Sequence, residues 1–200
     1  DHKLKDQIAL LENNPEVSLV YSDIITVGND GRPISNEHLE SVRQRYKSGY
    51  IFTDLLSGNF INTCTAVFRR DRLPSGINDA AKYWFGYDYW IWLRIAAQGK
   101  IQFIDKVTSA YRIHESNVSQ TIEFKNKRRS YYLYYDVIEA FSRTNCMILT
   151  TAEKRIIFRK LISLFRQSYG TMRQKFNLLV MMGRYFPGAG WITSIFAGNK

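Results

Sequence analysis

The chain has 200 residues, 45% of them hydrophobic and 14% aromatic, with 28 Lys/Arg against 18 Asp/Glu. That is enough apolar material to bury a core, and it excludes a disordered or low-complexity chain. No apolar run approaches the length of about 18 residues that reads as a membrane-spanning helix, and the two cysteines, Cys64 and Cys146, match no zinc or redox spacing. Two distant cysteines suggest a reducing, cytoplasmic setting over a disulfide framework.

The charge is unevenly placed. Residues 1–120 hold 14 basic and 14 acidic side chains, whereas residues 121–200 hold 14 basic and 4 acidic. The composition therefore divides into a neutral part, 1–120, and a basic extension, 121–200. An excess of this kind suits an anionic partner, and it is equally the mark of a solvated helix face.

Asp1–Asn13 has apolar residues at Leu4, Ile8 and Leu11 and predicts an amphipathic helix, closed by Asn13-Asn14-Pro15. Its opening inside a helix suggests chain upstream of Asp1. Val17–Val27 is β-rich and predicts one or two buried strands, followed by a turn at Asn29-Asp30-Gly31. Residues 32–49 are polar, with Arg43, Arg45 and Lys47, and predict a mobile surface loop or short helix. A short helix is expected over Ile51–Leu56. Phe60–Phe68 predicts a strand on which Asn62, Cys64, Ala66 and Phe68 share a face. Trp84–Ala97 predicts a helix with Gly99 as its C-cap. Ile101–Ile104 and Val107–His114 predict two strands joined by a turn at Asp105-Lys106.

The extension predicts helices. One spans about Glu123–Phe141, and a second opens at Thr150 with the capping-box spacing to Glu153. A third runs over Met172–Tyr185 and is stopped by Pro187-Gly188. Trp191–Phe196 forms a short apolar patch.

The chemistry concentrates in two stretches. Tyr87-Asp88-Tyr89-Trp90-Ile91-Trp92-Leu93-Arg94 places one acid at the start of an aromatic helix. First-turn acids are common because the helix dipole favours them. Here, however, Trp84, Phe85 and Tyr87 could cover the apolar faces of sugar rings while the carboxylate accepts a hydroxyl proton. Tyr111-Arg112-Ile113-His114 puts Arg112 and His114 on one face if extended, a pairing suited to a diphosphate or its metal. A lone histidine is otherwise an ordinary hydrogen-bonding residue. Cys64 has no histidine nearby in sequence and is not read as a nucleophile.

These stretches arrive in the order Lys-Leu-x-x-Gln, Val-Tyr-Ser-Asp, Phe-Arg-Arg, Asp-helix-Arg and Tyr-Arg-x-His. In that order they resemble the acceptor half of family 2 glycosyltransferases with the GT-A fold. The resemblance covers Asp1 to about Ser119. It implies an α/β fold, a partial GT-A mixed sheet with helices, followed by the α-helical extension. It implies a metal-dependent inverting hexosyl transfer from a nucleoside-diphosphate sugar to a hydroxyl of a glycan or lipid-linked acceptor, as in bacterial cell-envelope polysaccharide synthesis. Asp88 takes the place of the family's base, with Tyr87 where an acid is commoner. Asn59, Asn62, Cys64, Trp84, Tyr87 and Arg112 fall in substrate-binding places, and His114 in one that can touch the metal or phosphate.

The family's nucleotide-binding half and its Asp-x-Asp motif for Mg²⁺ or Mn²⁺ would precede Asp1. The chain alone is then expected to be inactive and to expose a sheet edge. The basic extension suits peripheral contact with the inner membrane surface through Trp191 and Phe196. Two other readings stay open: a non-catalytic scaffold, and an anionic-polymer-binding module using the basic helices. The absence of any nucleic-acid-binding fold pattern speaks against nucleic acid. Oligomeric state, sugar and acceptor have no readable signature.

Overall fold

The computed structural model describes residues 2–73, 87–117, 149–166 and 170–185. They form a mixed α/β structure with a small three-stranded sheet of order β2-β1-β3. The chain divides into two compact units, 1–81 with 91–121, and 82–90 with 122–200.

In the first unit, α1 (Lys3–Asn13) leads into β1 (Val17–Val27), the central strand. Its run of β-branched and aromatic residues suits a strand buried on both faces. β2 (Val67–Phe68) pairs with it antiparallel, and β3 (Lys100–Arg112) pairs parallel along nearly its whole length. Between β1 and β2 lie α2 (Glu37–Arg43), α3 (Phe52–Leu56) and a 3₁₀ turn at Thr63–Thr65. Leu19, Tyr21, Leu55, Leu56, Ile61, Leu93, Ile95 and Ile101 are fully buried.

Four expectations need correction. Asp105-Lys106 is not a turn: β3 is one strand, and its register with β1 jumps from Ser22–Ile104 to Asp23–Val107, so these polar residues form a bulge. Lys106 reaches Asp6 of α1 at 3.3 Å from there.

Phe60–Phe68 is not a continuous strand. The Asn62 carbonyl accepts from the Thr65 amide at 2.9 Å and from its hydroxyl at 2.8 Å, closing the 3₁₀ turn and ending any alternation of Asn62 and Cys64.

α1 does not bury Leu4 and Ile8, which are 57% and 44% exposed; it buries Gln7 and Leu11. Gln7 donates to the Thr65 carbonyl at 2.7 Å, and Lys3 donates to the Cys64 carbonyl. A polar pair one helical turn apart thus fixes the 3₁₀ turn.

Gly99 is not a left-handed cap, since positive φ occurs only at Gly31, Gly49 and Gly58 among the described glycines. Its lack of a side chain answers to space: a Cβ would stand 2.2 Å from Ser18 Oγ and 3.0 Å from the Glu16 carbonyl.

Residues 32–49 are tied down beyond α2. Asp23 holds Arg43 at 2.8 Å, Gly58 and Asp54 carbonyls hold Arg45, and Asp54 holds Lys47 at 2.5 Å.

In the second unit, Thr150 and Glu153 form the expected capping box: the Thr150 amide donates to Glu153 at 2.8 Å and the Glu153 amide to Thr150 Oγ1 at 3.3 Å. The box opens α5 (Thr151–Arg166), which buries Ile157, Leu161 and Leu164. A second box at Thr171 and Gln174 opens α6 (Met172–Tyr185) and buries Leu178, Met181 and Met182. The expected helix at 123–141 and the patch at 191–196 lie outside the described residues.

Candidate functional site

α4 (Tyr87–Ala96) carries Asp88 in its first turn. The next residues, Tyr89 through Leu93, are all buried, so the helix is anchored immediately behind the carboxylate. Asp88 Oδ1 accepts the Tyr89 amide at 2.7 Å, which fixes the carboxylate at the start of the helix. Asp88 is half-buried, and Tyr87 beside it is 41% exposed. An anchored carboxylate next to an accessible ring can take a proton from a hydroxyl while the ring covers an apolar face. Trp84 lies outside the described residues. Asp88 and Tyr87 belong to the second unit; Asn59, Asn62, Cys64, Arg112 and His114 belong to the first.

β3 ends at Arg112, and His114 follows in a turn, so the extended alternation that would align the two stops short. Arg112 donates to the Asn29 carbonyl at 2.8 Å and the Gly28 carbonyl at 3.3 Å, bracing the turn after β1. His114 Nδ1 stands 2.8 Å from Ser116 Oγ. Asn117 ties this turn together: it accepts the His114 amide at 2.9 Å and donates to the Arg112 carbonyl at 2.8 Å and Tyr111 at 3.1 Å. Sequence reading gave Asn117 no role, although Asn is a common turn residue.

Asn59 accepts the Ile61 amide at 3.0 Å, and Asn62 donates to Tyr46 at 3.1 Å. Both amides thus serve the fold of the first unit. Tyr46 in turn packs on Tyr21 and Phe103, with ring centroids 5.6 and 4.9 Å apart. The Cys64 residue is exposed at the surface, and its thiol is pushed up by partial burial, a shift the Lys3 charge only moderates.

Among the described residues, no group of three His, Cys, Asp or Glu side chains stands close enough to hold a metal ion. With its Nδ1 on Ser116, His114 offers Nε2 alone. These residues do not by themselves form a metal site. No described helix is long and apolar enough to cross a membrane. No protein-family model matches the chain, and no curated protein matches its sequence.

Proposed function

We propose that the chain is the acceptor-side part of an inverting glycosyltransferase that uses a nucleoside-diphosphate sugar. The observation that carries the reading is Asp88, a carboxylate oriented by the Tyr89 amide at the start of a buried aromatic helix, beside the exposed Tyr87 ring. The acceptor hydroxyl gives its proton to Asp88 as its oxygen bonds to the anomeric carbon. The anomeric carbon–oxygen bond to the diphosphate breaks with its electron pair, and the configuration inverts. Tyr87 covers a sugar face during the transfer. The order of sequence motifs from Lys3 to His114 supports the same reading, with the nucleotide held by chain preceding Asp1 and Mg²⁺ or Mn²⁺ ligated there.

Thermal shift with UDP, GDP, TDP and CMP, each with and without Mn²⁺, tests the proposal on this chain and on the protein extended upstream. A ligand at a hundred times its dissociation constant adds about 2.7 kcal/mol, which raises the melting temperature of a domain this size by about 5–10 °C. The extended protein is expected to respond to one nucleotide class and this chain to none. No response in either would count against a nucleotide-sugar enzyme.

A further inference from the structure

α6 has two apolar faces. Leu178, Met181 and Met182 are buried. Met172, Phe176 and Val180, spaced four residues apart, form a second stripe that is 83%, 65% and 48% exposed. Gly183 falls on this stripe, and a Cβ built there meets nothing within 4 Å, so the space over it is open. At 3.6 residues per turn, Arg173 falls about 60° to one side of Phe176 and Lys175 about 100° to the other. α6 contains no acidic residue, and α5 contains only Glu153 against five Lys/Arg.

An exposed apolar stripe edged by cations fits one surface chemistry above others. Nucleic acid rewards the cations but leaves Met172 and Val180 without a partner of their kind. A second copy of α6 would bring basic edges against basic edges with no acid to meet them, over a stripe far smaller than a stable dimer interface. An anionic bilayer takes both parts: acyl chains receive the apolar stripe and headgroups receive the cations.

We propose that α6 is a membrane-surface helix, lying in the plane of an anionic lipid bilayer with Met172, Phe176 and Val180 in the acyl boundary and Arg173 and Lys175 among the headgroups. The inference rests on α6 alone, without the transferase reading. It is tested by co-sedimenting the whole chain with phosphatidylcholine vesicles, with and without about 30 mol% phosphatidylserine.

Binding is expected to the anionic vesicles only. Phe176→Asp should weaken it about tenfold or more with an unchanged circular dichroism spectrum, because the side chain lies outside the core. Arg173→Gln with Lys175→Gln should weaken it about 30-fold. Leu4→Asp, at an exposed apolar position on α1, should leave it unchanged. The proposal is overturned by equal binding to neutral vesicles, by no binding, or by Phe176→Asp binding like the parent. A dimer in sedimentation velocity that Phe176→Asp dissolves would assign the stripe to a second copy instead and overturn it equally.

Discussion

Removing the Arg69 guanidinium should loosen the first unit at the junction of α1, β1 and β2. Arg69 donates to three carbonyls at once: Val17 at 2.9 Å, Asn14 at 3.3 Å and Leu11, at the end of α1. α1 has no basic residue in its own last turn, so this guanidinium stands where the helix dipole calls for a cation. A hydrogen bond from a charged donor contributes about 1.5–3 kcal/mol, and Arg69 is only half-buried, so Arg69→Ala is expected to cost about 3 kcal/mol in total. For a chain of this length that lowers the melting temperature by about 6–12 °C. Near-UV circular dichroism is the suitable readout, because Trp92 packs edge-on against Phe68, the neighbour of Arg69, at 5.7 Å. Arg69→Lys should recover less than half of the loss, since an ammonium cannot fork across three acceptors. A drop below about 2 °C for Arg69→Ala would refute the capping role.

Gly99→Ala should destabilise the first unit by about 1–3 kcal/mol through overpacking against Ser18 Oγ and the Glu16 carbonyl. Adding Ser18→Ala should restore part of that in urea melts, and a neutral Gly99→Ala would contradict the close approach. Alkaline pH should also unfold this unit. Tyr46 is pushed up from its ordinary 10.0 to about 12, mainly by burial and then by the Asp23 charge, and burial raises Tyr21 as well. The fold therefore favours the neutral phenols; their contribution is complete below pH 10 and is lost as pH rises through about 12. Tyrosinate absorbance followed against the urea midpoint checks this, and stability that stays level from pH 10 to 12 would speak against it.

What could be read from the sequence was mostly local. β1 follows from its β-branched run, and the end of α1 from Pro15. The Thr150–Glu153 box was visible in its spacing, and the same spacing at Thr171 and Gln174 went unread. What could not be read depended on distant partners. Asp105-Lys106 has the composition of a turn and becomes a bulge because β3 pairs parallel with β1, a pairing set by chain far away. Apolar periodicity pointed to Leu4, Ile8 and Leu11, yet of these Leu11 alone is buried, beside Gln7, whose Nε2 donates to the Thr65 carbonyl 58 residues on. Asn62 looked like a strand-face ligand and Asn59 like its neighbour in the preceding loop; hydrogen bonds within the first unit use the amides of both. Asp88 is where its sequence neighbourhood suggested, on the first turn of a helix.

The most direct measurement is sugar transfer by the full-length protein carrying Asp88→Asn, followed as nucleotide release from the sugar donor that gives the thermal shift. Asparagine keeps the size of the side chain and cannot accept the proton, so the turnover number should fall by about 10²–10⁴, with donor binding unchanged. An Asp88→Asn protein that turns over like its parent would contradict the account.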